Sequence, residues 1–195
     1  MNYRDLKDYD RSLEYGEKCL RICRESHNKH REAMALNHIG ITYVEITQFE
    51  DALVYFRQAL EVINDIDDKF IHVSVLLNIG KAYLKQNHPK LGQFYLSQAL
   101  EIAHESGQKG FQFECHEALA TAYRSQADFA RALEHYERFH EIKEQLYSEE
   151  STHKLKNLEV MYQAEGARKE AEIYRLKNVV LEQEIAERTR REEMF

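Results

Sequence analysis

The sequence has no tryptophan, one proline and only seven glycines among 195 residues. Such a shortage of chain breakers excludes a sheet protein rich in turns and predicts long helices joined by short connections. The three cysteines, Cys19, Cys23 and Cys115, are too sparse and odd in number for a disulfide framework. No run approaches the ~18 apolar residues of a membrane span, and Met1-Asn2-Tyr3-Arg4-Asp5 has nothing resembling a signal peptide. The expectation is a cytoplasmic protein without a membrane partner. A basic surface is also missing. The formal charge is −7, and residues 151–195 balance nine Lys/Arg against nine Asp/Glu, so the whole deficit falls on residues 1–150. An acidic body without a basic stripe is poorly suited to phosphate backbones, so no nucleic-acid partner is expected.

What is present repeats. A shift of 40 residues carries Leu36, Ile39, Gly40 and Tyr43 onto Leu76, Ile79, Gly80 and Tyr83. A second shift reaches His116, Leu119, Ala120 and Tyr123. The following half repeats too: Ala52, Phe56 and Ala59 match Gly92, Leu96 and Ala99, then Ala132, Tyr136 and Phe139. Within each unit the apolar residues fall three and four apart, which is helical spacing. Small residues at 40, 80 and 120, and again at 52, 92 and 132, let two helices of one hairpin approach closely. The tyrosine three places after the first small residue fills the wedge beside it. Pro89 is placed to open a helix after His88, Asp128 to N-cap one before Phe129, and Gly107 and Gly110 to mark a turn.

These residues resemble the tetratricopeptide repeat, in which a small residue and a tyrosine on the first helix face a small–aromatic–small set on the second. The resemblance covers roughly residues 3–149. It implies an all-α solenoid of helical hairpins wound as a right-handed superhelix. The unit exceeds the family's usual ~34 residues and is similar to the extended-helix type of bacterial sensors and peptide-binding regulators. The family's first-helix tryptophan is replaced by Leu36, Leu76 and His116. Phe139 occupies a small-residue position, so the last unit is expected to pack against something unlike another repeat. The expected division is a solenoid over 1–149 (partial repeat 1–29, repeats 30–69, 70–109 and 110–149) and a long linker or coiled-coil helix over 150–195. Tyr3 aligns with Tyr43, Tyr9 with Phe49, Leu13 with Leu53, and Cys19 with Ala59. The chain is therefore expected to open near the end of a first helix whose beginning is missing.

From Ser148 onward the only breaker is Gly166. Leu155, Leu158, Met161 and Tyr162 form a stripe that could cap the last repeat. Ile173, Leu176, Val180, Leu181 and Ile185 follow with a drifting seam. A homodimer through this helix is expected, with Leu158, Tyr162, Ile173, Leu176, Val180, Leu181 and Ile185 in the contact. The stretch 169–178, with Glu182, Glu184 and Ile185 after it, resembles the linker helix that follows repeat domains in bacterial signalling proteins. That resemblance implies an output domain beyond the chain, such as a diguanylate cyclase or a histidine kinase.

No chemistry-bearing motif stands out. Cys19, Cys23 and His27 share one helical face with His30 nearby, yet Cys19 and Cys23 fall on packing positions of the repeat, and core packing is the expectation. His38, His72, His88, His104, His116, His135, His140 and His153 show no ligand spacing. There is no phosphate loop, nucleophile elbow or zinc-protease pair. No catalytic residue, metal or cofactor is expected. The tetratricopeptide pattern instead implies a groove along the first helices, at Asn37, Ile41, Val44 and Glu45, then Leu77, Lys81, Leu84 and Lys85, then Glu117, Thr121, Arg124 and Ser125. Its mix of apolar and polar groups suits a protein or peptide ligand. The leading expectation is a non-catalytic sensory or scaffold module of a bacterial signalling protein; a free-standing adaptor or peptide-responsive regulator is the alternative.

Overall fold

The computed structural model describes the backbone of residues 8–192, with side chains over 8–161 and at 163, 165, 168, 169, 172, 173 and 175–177. Seven helices follow one another: α1 (Tyr9–Glu25), α2 (Lys29–Glu45), α3 (Phe49–Ile63), α4 (Lys69–Lys85), α5 (Pro89–Glu105), α6 (Lys109–Ser125) and α7 (Phe129–Glu192). No strand occurs among the described residues. The chain divides into two compact units, Met1–Leu146 and Tyr147–Phe195, and α7 contributes to both.

In the first unit α2 packs on α3 and α4 on α5 as hairpins, while α3 and α5 each touch the first helix of the next hairpin. First helices also touch in series, α2 with α4 and α4 with α6. The small residues predicted from the repeat set these distances. A Cβ on Gly40 would lie 2.5 Å from the Phe56 ring, and one on Gly92 would lie 2.6 Å from Leu84 Cδ2 and 3.0 Å from the Gly80 carbonyl oxygen. Phe56 and Leu96 are accordingly shut away from solvent. The tyrosines fill the wedge as expected: Tyr43 stacks on Tyr55 and Tyr83 on Tyr95, with ring centroids 5.3 and 5.6 Å apart.

The connections carry a finer period that the side chains did not announce. Positive φ recurs every 20 residues, at His27, Thr47, Asp67, Asn87, Gly107 and Ala127. At five of these the chain closes a Schellman turn. Around Thr47, for example, Gln48 N–H donates to the Tyr43 carbonyl and Thr47 N–H to the Val44 carbonyl. At two of the five the residue closing the turn also caps the next helix through its side chain. Asn28 and Asp128 accept from the amides of Arg31 and Arg131, as Asp68 accepts from Ile71 in the longer connection before α4. Asp128 and Pro89 thus act as predicted, whereas Gly110 lies inside the first turn of α6 and only Gly107 belongs to the connection.

Thr47 is β-branched and sits at φ 62°, where only glycine is free of strain. Thr47→Gly is expected to raise stability by about 1 kcal/mol, measured as a higher urea midpoint with unchanged slope. Asn87→Gly should gain less, because asparagine tolerates this conformation.

In the second unit Leu155, Leu158, Met161, Ile173 and Leu176 are exposed. The side chains of Tyr162, Val180, Leu181 and Ile185 lie outside the described residues, as does Tyr3. Exposed i,i+4 pairs, Glu150–Lys154 and Glu165–Lys169, line this stretch.

Candidate partner-binding face

The groove positions part into two groups. In the first two full hairpins the neighbouring first helix has taken them up. Asn37 is buried; its amide donates to Ser74 Oγ and its carbonyl accepts from Asn78, both at 3.0 Å. Val44 and Leu77 are buried in the core, and Ile41 and Leu84 are half-buried against it. Lys81 pairs with Glu114 at 2.6 Å and Lys85 with Glu45 at 3.7 Å. Asn37, Val44 and Leu77 are thus packing residues, a correction to the expected groove. The cause is the lateral contact between successive first helices, which covers the face they point from.

The third hairpin differs. Glu117, Thr121, Arg124 and Ser125 are all exposed. The first three, with Ala120 of α6 and Phe129, Ala132, Leu133, Tyr136 and Phe139 of α7, line an open pocket of about 450 Å³. Equivalent positions show why it is open. Tyr136 stands where Phe56 and Leu96 are fully buried, yet it is 53% exposed, and Leu133 is 57% exposed where Leu53 is 6%. In the earlier hairpins α4 and α6 supply the cover. Phe139 is buried by stacking on Phe113 of α6, 4.5 Å between centroids. The unusual aromatic in a small-residue position therefore fills space within its own hairpin. The α7 residues of this face were missed in the sequence; the repeat count and the Phe139 departure were the available signals.

Behind the pocket, His116 and His135 meet through their Nδ1 atoms at 2.9 Å. His135 takes the place of Tyr55 and Tyr95 and stacks on Tyr123, whose ring also carries Arg131. Burial, then the neighbouring His135, pushes His116 down to about 4; burial lowers His135 as well. Both rings are therefore neutral at pH 7, and one donates to the other.

Cys23 is buried as expected, but Cys19 is exposed, 3.9 Å from Cys23 Sγ. Its equivalents Ala59 and Ala99 are fully buried. Burial raises the Cys23 thiol and pushes Cys115 up to about 12, which leaves both poor nucleophiles. Among the described residues no three His, Cys, Asp or Glu side chains gather as a metal site. No described helix is long and apolar enough to cross a membrane.

Three family models, each described as tetratricopeptide repeat, match residues 1–65, 73–105 and 115–146. No curated protein sequence matches this chain. Among solved structures it is similar to BtubC (BKLC) from P. vanneervenii, with 23% identity and a TM-score of 0.67 over 74% of this chain and 60% of that one. It is also similar to the TPR domain of Arabidopsis FLU, at 21% identity and TM-score 0.57 over 60% of this chain and 98% of that one. A Rap protein complexed with Competence and Sporulation Factor matches at 19% identity and TM-score 0.67, covering 72% of this chain and 39% of the other. The chain therefore spans about three fifths of the first of these structures and less of the Rap protein.

Proposed function

Since the chain belongs to the tetratricopeptide-repeat family, we propose that it is a non-catalytic scaffold that binds a protein or peptide through the face between α6 and the start of α7. The observation that carries this reading is the exposure of Leu133 and Tyr136, whose equivalents Leu53, Phe56 and Leu96 are buried. Contiguous apolar surface rimmed by charge is the signature of a protein contact. The finer reading is a cytoplasmic sensory or scaffold module of a bacterial signalling protein, paired as a homodimer through exposed Leu158, Ile173 and Leu176 and relaying to an output domain. The similarity to a Rap protein complexed with a factor favours, as a second reading, a regulator that responds to a peptide.

A photo-crosslinking residue placed at Leu133 in cells is expected to yield an adduct with another protein, and one at exposed Val54 on α3 is not. Equal yields at the two sites would count against the face. For the pairing, sedimentation of the whole chain should give twice the monomer mass; a monomer at micromolar concentration would remove the dimer.

A further inference from the structure

The hairpins α2–α3 and α4–α5 each build a seat that the next first helix fills. The seat of α2 and α3 receives Ile71, Val75, Ile79 and Ala82 of α4. The seat of α4 and α5 receives Cys115, Leu119 and Tyr123 of α6. The incoming helix runs parallel to the first helix it covers, because contacts advance together along both: His30 meets Asp68 at their starts, Asn37 meets Asn78 midway and Glu45 meets Lys85 at their ends. Polar side chains at the edge fix it in place, as in Lys81–Glu114 and in Gln93, which donates to the Tyr123 hydroxyl at 2.6 Å.

The seat of α6 and α7 has the same parts. Ala120 and Ala132 are its small residues, Leu133 and Tyr136 its apolar wall. Its edge charges, Glu117 and Arg124, lie two turns apart on α6, and among the described residues neither forms an ion pair. In the earlier seats the lysines at the edge, Lys81 and Lys85, are both paired across to a neighbouring first helix. The apolar lining also decides what form the occupant takes. An extended peptide pressed into it would strand backbone N–H and C=O groups, whereas a helix satisfies its own.

We propose that this third seat takes an amphipathic helix from a partner protein. The helix lies parallel to α6, with an aliphatic face on Leu133 and Tyr136, a basic side chain against Glu117 and an acidic one against Arg124. The partner thereby completes the stack as a further first helix would. This rests on the protein-binding reading above and adds the shape, direction and charge order of the partner.

The probes are stapled, fluorescently labelled helices of about 18 residues, read by anisotropy against the whole chain. One carries lysine early and glutamate seven residues later beside an aliphatic stripe; the other has the two charges exchanged. The first is expected to bind at least tenfold more tightly, the double variant Glu117→Lys/Arg124→Glu to reverse that preference, and Leu133→Asp to remove binding of both. All three positions are exposed, so circular dichroism should show unchanged folding. Equal affinity for the two probes, a preference that survives the double variant, or a proline-interrupted peptide binding as tightly would each overturn the proposal. An adduct at Leu133 together with any of those results would refute the helix and leave the protein-binding reading standing.

Discussion

Gly92→Val is expected to destabilise the repeat unit by about 3 kcal/mol, at the upper end for overpacking. The first atom added, Cβ, would meet Leu84 at 2.6 Å and the Gly80 carbonyl oxygen at 3.0 Å. A leucine end can rotate, but the carbonyl belongs to the backbone of α4, so the valine can be seated only by prising α4 from α5. That separation exposes Leu96, which has no accessible surface in the native stack. Gly110→Ala is the control. A Cβ there meets nothing within 4 Å, and in a helix alanine is favoured by roughly 0.5–1 kcal/mol. Urea titration followed by circular dichroism distinguishes the two, and equal midpoints for both variants would refute the close-contact account.

The second large effect depends on pH. His116 and His135 are held neutral in the fold by burial, with Arg138 also disfavouring charge on His116 and Glu134 and Glu141 opposing that. Their folded pKa values lie below the ordinary 6.5, so at intermediate pH the unfolded chain takes up protons that the folded chain refuses. Stability is therefore complete above about pH 6.5 and falls as pH drops toward 4, by roughly 2 kcal/mol after allowance for the rings' partial exposure. The double variant His116→Leu/His135→Tyr installs the residues that the other hairpins carry, Leu36 or Leu76 and Tyr55 or Tyr95. Its urea midpoint should lose this pH dependence between 6.5 and 4.5. An unchanged profile would place the titration elsewhere.

The fold was legible because the same constraints recur. Gly80 and Gly92, Tyr43 and Tyr83, Pro89 and Asp128 do locally what their spacing predicts, since each acts within one hairpin or one turn. What depends on neighbours was not legible. Asn37 and Leu77 point from the face that the family pattern marks as a groove, but the lateral approach of the next first helix covers them, and no single repeat records that overlap. Thr47 and Ala127 give no hint of a left-handed turn; the 20-residue step emerges only when all connections are compared. The His116–His135 pair was hidden because the residues are 19 apart and on different helices. Glu117, Thr121 and Arg124 lie on the line of first-helix positions that the family pattern marks, whereas Phe129, Leu133 and Tyr136, which share their pocket, carry no such mark. They are exposed because, unlike in the preceding hairpins, no described helix packs over them.

The central claim is that this face is open in the chain alone and covered when the protein works. Hydroxyl-radical footprinting of the purified chain and of the same chain in cells tests it directly. Tyr136 and Phe129 should oxidise readily in the purified protein and several-fold more slowly in cells. Phe94, exposed on α5, should react alike in both. Equal labelling of Tyr136 in the two settings, or a Tyr136 as inert as Phe56 in the purified chain, would contradict the account.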